Sequence, residues 1–176
     1  MKEWYYFMQH LNPYQTGESS IDVYFRTIIL DGAQTKSNAR DPERFREPFK
    51  QWCALVMLCN TTNETPAAQG ILGWLNYFNP EQALQISNAA NFFHCQVMWL
   101  LLGKVLFITQ MGYVGTAPEL AQVGDIVVLF AGMKVPHVVR KKGDSYAYVG
   151  PAYVHGIMDG EAWKEDPASL EEFTLV

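Results

Sequence analysis

The sequence predicts an α+β fold, with a helical first half packed on a small, mostly antiparallel β-barrel formed by the C-terminal half. Three observations predict it. Apolar residues recur at helical spacing up to Gly103. Beyond Gly103 the apolar period changes to two, in short runs of strand length. Those runs are separated by glycine-containing turns such as Ala131-Gly132-Met133 and Lys142-Gly143-Asp144. The expected organisation is a single domain over residues 1–176, mainly helical over 1–103, with a barrel core over 104–163 and a tail over 164–176.

The elements follow in order. Ser19 and Ser20 offer an N-cap, after which Ile21, Tyr24, Phe25, Ile28 and Ile29 form one helical face that runs to Gly32, a C-cap residue. The loop 33–40 is polar. Asp41-Pro42 then supplies a cap and a helix-starting proline, and Phe45, Phe49, Trp52 and Val56 make the buried stripe of a helix reaching about Leu58. Residues 60–66 read as a turn and 67–78 as a third helical pattern. Asn79-Pro80 restarts a helix that runs towards Leu102. Strands are expected over 104–110, 125–130, 135–140, 145–149 and 152–155, a spacing that suits a barrel closing its own edges.

At 176 residues the chain has the length of one domain with a sizeable core. Charged residues make up 18%, below the usual figure of about 25%. With a net charge of -5, the chain lacks the clustered Lys and Arg that binding a phosphate backbone requires, so nucleic acid is not the expected partner. The three cysteines, Cys53, Cys59 and Cys95, lie in apolar helical sequence without a CxxC pair, and read as reduced core thiols. Nothing at the start resembles a secretory signal, so the sequons at Asn60 and Asn63 are expected to be unglycosylated and the chain cytoplasmic. The longest apolar run, residues 97–102, is too short to span a bilayer.

Phosphate-cradling, dinucleotide-binding, nucleophile-elbow and zinc-protease motifs are absent. His94 and Cys95 are neighbours on a helix, where side chains point about 100° apart, so they cannot act as a pair. The densest titratable cluster is Tyr153, His155, Asp159 and Glu161. On a strand Tyr153 and His155 share one face and can bond a common ligand or move a proton. Structurally, Asp159 and Glu161 would instead satisfy backbone amides or an arginine such as Arg26 or Arg140. Arg26 sits in an apolar helical stripe, so it is expected to be buried and clamped to a carboxylate or carbonyl of the barrel half. From Gln51 to Gly103 only Glu64 and Glu81 carry charge, which makes this segment a core insertion, a ligand face or a partner face.

A wider pattern adds to these readings. Phe107, Thr109, Gly112, Gly115, Pro118, Gly124-Asp125, Gly132, Pro136, Arg140, Gly150 and the block YVHGIMDGEA at 153–162 resemble the C-terminal barrel region of fungal heterokaryon-incompatibility (HET) proteins. The likeness extends upstream to Phe25-Arg26-Thr27 and covers roughly residues 14–163. In that family the barrel follows an N-terminal HET domain of TIR-like fold. The sequence here begins almost where the barrel region would, so a free-standing barrel is expected, with a function resting on its own residues.

Two functions follow from different classes. In the first, the surplus of large apolar side chains encloses an apolar small molecule. The chain is then a cofactor-free cyclase or isomerase that promotes ring closure, such as an intramolecular cycloaddition, in fungal secondary metabolism. Positioning alone can supply about 7 to 11 kcal/mol of such a barrier. His94, Tyr153 and His155 would be catalytic donors, with Arg26, Trp52, Tyr77, Phe93 and Trp99 against the substrate, and no metal or cofactor. In the second, the chain is a non-enzymatic interaction module in nonself recognition. Its apolar helical segment would then meet a HET-type protein or a second copy.

Overall fold

The computed structural model describes residues 13–32, 41–61, 77–163 and 170–176. The aromatic opening at residues 4–8, the loop 33–40, Trp74 and most of the helical pattern expected over 67–78 lie outside these residues. So do the sequon at Asn63 and the side chains of Met57, Cys59 and Asn60. The chain divides into two compact units, one of residues up to Leu30 together with those from Leu101 onward, the other spanning Asp31–Leu100.

In the first unit, helix α1 spans Ser20–Ile28, with Ser19 as the N-cap whose side chain accepts from the Asp22 N–H at 3.2 Å. Its inner face buries Val23, Tyr24, Phe25, Thr27 and Ile28. The helix stops four residues before the expected Gly32 cap, because Leu30 turns into the left-handed region at φ 49° and the helical ladder cannot continue through it.

The strands of the described residues form two antiparallel sheets of three. Strands β1 (Lys104–Ile108), β2 (Val114–Pro118) and β6 (Tyr153–Val154) make one, in the order β1-β2-β6. Strands β3 (Ile126–Val128), β4 (His137–Lys142) and β5 (Ser145–Pro151) make the other, in sequence order. The α+β class therefore holds, with helices first and antiparallel strands after.

One closed barrel was expected; the sheets are not joined into one. A single residue, Ala152, separates β5 from β6, so the chain leaves one sheet and enters the other without a turn, and the Ala152 N–H bonds to the Pro136 carbonyl at 2.8 Å. Both sheets then share one core of Ala117, Val138, Ala152, Val154 and Ile157, flanked by Phe107, Tyr113, Val127 and Val149. The apolar faces are covered by each other, which meets the demand that barrel closure would otherwise meet.

Strand β2 was not foreseen. Its sequence, Val-Gly-Thr-Ala-Pro, carries two residues that usually interrupt strands. Yet it is central to its sheet, buried from Val114 to Ala117, and packed against α1. Gly115 explains the exception. A Cβ there would overlap the Tyr153 carbonyl oxygen and lie 2.8 Å from the Phe107 ring, so the close approach of three strands excludes any side chain.

In the second unit, a 3-10 turn at Glu43–Phe45 leads into helix α2, Arg46–Thr61, and helix α3 spans Pro80–Leu100. Asn79 and Gln82 cap α3 reciprocally. The Gln82 N–H bonds Asn79 Oδ1 at 2.9 Å, the Asn79 N–H bonds Gln82 Oε1 at 3.3 Å, and Pro80 takes the first helical position. The two helices pack through Phe49, Trp52 and Phe93, whose ring centroids lie 5.3 to 6.3 Å apart.

Candidate functional site

The block at residues 153–156 meets the segment that leads into α1. His155 directly follows β6, two positions after Tyr153, and the Tyr153 hydroxyl lies 3.0 Å from His155 Nδ1. His155 Nε2 lies 2.7 Å from Glu18 Oε2, and the imidazole is buried. A proton on Nε2 directed at the carboxylate leaves Nδ1 to accept from the Tyr153 hydroxyl. Thr16 donates to the same carboxylate oxygen at 2.6 Å. Arg26 Nε stands 3.4 Å from Glu18 Oε1, an ion pair by distance although too poorly aligned to be a hydrogen bond.

Tyr14 locks this arrangement from beneath. Its hydroxyl donates to the His155 carbonyl at 3.0 Å and accepts from the Val114 N–H at 2.9 Å, so one phenol holds β2 and the end of β6 together. The segment passes so near that a Cβ on Gly156 would lie 2.7 Å from the Thr16 methyl, and Gly156 itself sits at φ 86°. Only glycine meets both conditions without strain.

Charge follows from these contacts. Burial pushes the Tyr14 hydroxyl up to about 12, against the bond from Val114, so it stays protonated as a donor. Burial alone would raise the Glu18 carboxyl, but the bonds from Thr16 and His155 and the charge of Arg26 outweigh it and hold Glu18 below the ordinary carboxylate range. The cluster is thus an anion set between a histidine and an arginine. Both imidazole nitrogens are engaged and the ring is enclosed, so its evident work is to clamp the lead segment and α1 to the sheet.

Arg26 departs from expectation in two respects. Its side chain is half-buried, and the carboxylate it pairs with belongs to the segment before α1, so that pair reaches the sheet through Glu18 and His155. Arg140 is paired elsewhere than expected as well. It grips Asp125 through two bonds of 2.8 and 2.9 Å and the Leu120 carbonyl at 2.8 Å, tying the loop before β3 to β4. The bond from Arg140 holds the Asp125 carboxyl below its ordinary range. Glu161 takes a backbone amide, as anticipated, by accepting from the Asp159 N–H at 2.8 Å.

The remaining candidates lie in the other unit. Trp52 donates its indole N–H to His94 Nδ1 at 3.3 Å, and Phe93 is buried against Trp52 and Phe49. Tyr77 and Trp99 are 89% and 68% exposed, so they face solvent rather than an enclosed substrate. Cys53 is pushed up to about 11 by burial, which removes it as a nucleophile near neutral pH. Among the described residues no group of three or more His, Cys, Asp or Glu is placed to hold a metal, and no helix is long and apolar enough to cross a membrane.

Sequence reasoning singled out His155, Tyr153 and Arg26 but not Glu18 or Tyr14, which join them. Glu18 lies 137 positions from His155 and Tyr14 lies 141, and neither stands in a recognisable motif. The one local signal was a lone acid and a lone aromatic ahead of a helix cap.

Two paired antiparallel sheets, entered by a helix whose lead segment is pinned to the Tyr-x-His-Gly exit, define a small two-sheet β module. The chain belongs to the Het-6 beta-barrel domain family, whose pattern matches residues 70–176. It is 49% identical over 78 residues to heterokaryon incompatibility protein 6, OR allele, of Neurospora crassa. The matched stretch amounts to 42% of this chain and 11% of that protein, so the chain spans a small part of its relative's length. No solved structure matches it.

Proposed function

We propose that this chain is a non-enzymatic interaction module of the heterokaryon-incompatibility type, and that the outer face of α3 is its protein-contact surface. The observation that carries this reading is the composition of that face. Leu84, Phe92, Met98 and Trp99 are 61%, 50%, 55% and 68% exposed, and at 100° per residue they fall on one side of the helix, opposite buried Phe93, Val97 and Leu100. After Glu81 the helix has no acidic, Lys or Arg side chain. A helix facing water normally carries charge there, and large apolar groups in a row mark a partner site. Family membership supports the reading, since the relative is named for incompatibility.

The alternative, cofactor-free ring closure of an apolar substrate, has no comparable support. Two of its five substrate residues, Tyr77 and Trp99, face solvent, and His155 and Tyr153 are engaged with Glu18 and with each other.

The test uses the purified full chain with a full-length heterokaryon-incompatibility protein in size-exclusion co-elution and titration calorimetry. A stable complex that is lost in the Phe92→Asp/Trp99→Asp variant supports the reading. Absence of binding, or binding indifferent to both charges, rejects it.

A further inference from the structure

Strand β5 pairs with β4 along one edge and is met along the other by residues 170–176. Tyr146 is the meeting point. Its N–H donates to the Thr174 carbonyl at 2.8 Å and its carbonyl accepts from the Val176 N–H at 3.0 Å, which sets Leu175 opposite Tyr146 in a parallel bridge. Phe173 anchors the segment, with its ring 4.6 Å from Tyr146 and edge-on to Phe130 at 6.1 Å. Phe130 in turn lies 5.5 Å from the buried His137 ring, whose Nδ1 is 2.9 Å from the Tyr148 hydroxyl.

Outside this anchor the segment stands in solvent. Leu170, Leu175 and Val176 are 54%, 47% and 76% exposed, and Glu171, Glu172 and Thr174 are exposed as well. Among the described residues the attachment is therefore one backbone bridge and one aromatic side chain. That is how an extended peptide adds to a sheet edge: main-chain bonds hold it, and a pocket for an alternate side chain selects it.

We propose that the β5 edge, with Phe130, His137 and Tyr146 as its aromatic anchor, is a strand-addition site that takes the 170–176 segment of a second copy of this chain in exchange for its own. Three features favour a second copy over another partner. The segment that fits is already seated on the site, every copy carries it, and exchange reproduces the same backbone bonds and ring contacts, so no contact is sacrificed. An exposed, lightly anchored strand is also what an open edge exchanges most readily. This surface is independent of the α3 face.

The test uses full-length chains in which Cys53, Cys59 and Cys95 are replaced by alanine. By the same register residues 147 and 176 lie side by side on the face away from Phe173, so Ala147→Cys is placed in one chain and Val176→Cys in another. The two are mixed and treated with a short thiol cross-linker, and a chain carrying both substitutions serves as the folding control. The expected result is a covalent mixed dimer whose yield rises with concentration and falls about tenfold when the Val176→Cys chain also carries Phe173→Ala, the factor set by losing one aromatic contact. The proposal is overturned if the doubly substituted chain links only within itself while the mixture gives no dimer. It is also overturned if the doubly substituted chain does not link at all, or if Phe173→Ala leaves the dimer yield unchanged.

Discussion

Two residues carry more of this protein than their neighbours reveal. The Tyr14 hydroxyl is at once donor to His155 and acceptor from Val114, in a site closed to water. Tyr14→Phe keeps the ring but leaves the Val114 N–H buried without that acceptor. It should lower stability by about 1 to 3 kcal/mol, read as a reduced urea midpoint at unchanged slope. Glu18 makes a pH prediction. Because its carboxyl is held below the usual value of about 4.3, the unfolded chain binds more protons than the folded one just under that value. Its contribution is therefore fully present above the unfolded pKa and is lost as pH falls through the folded one. The melting-temperature gap between the wild type and Glu18→Gln should be largest above about pH 5 and should shrink steadily in more acid solution. A gap independent of pH would remove the charge from the account.

Among the elements, β2 shows how a strand can be dictated by its surroundings. Val114–Pro118 has poor strand propensity, but it lies between β1 and β6 and beneath α1, where burial of Val114, Thr116 and Ala117 outweighs local preference. Gly115→Ala should destabilise the fold by about 1 to 3 kcal/mol, because the added methyl overlaps a backbone carbonyl that cannot step aside. A thermal scan decides this, and an unchanged midpoint would mean that β1 and β6 separate more easily than their register implies. Helix α3, by contrast, was legible in its sequence. Asn79-Pro80 starts it with both capping bonds, and the positions of its charges already suggested an unusual outer face.

For the whole molecule, the proposed α3 contact face allows stability to be tested apart from association. Trp99 is 68% exposed, so Trp99→Asp should change stability by no more than about 0.5 kcal/mol while weakening association with an incompatibility-type partner. If the same substitution unfolds the chain, Trp99 is part of the packing and the face is not a contact surface. The ring-closure reading drew on the same aromatic surplus. That surplus gives it little support, because composition counts large apolar side chains without telling which of them face inward.

The sequence by itself determined the α+β class, the change from helix to strand at Gly103, the start of α3, the stripe of Phe45, Phe49 and Trp52, and the likeness to the incompatibility barrel. Each of these depends on local periodicity, capping chemistry or spaced residues, which are properties of neighbours along the chain. Only the tertiary structure decided that the strands form two sheets instead of one ring, that β2 exists, and that Glu18 and Tyr14 complete the His155 cluster. It also decided that Arg26 reaches the sheet through Glu18 and that Tyr77 and Trp99 face water. These depend on contacts between residues up to 141 positions apart. Their energy arises from burial and hydrogen bonds that form only once the chain has closed, and no local pattern encodes which partners will meet.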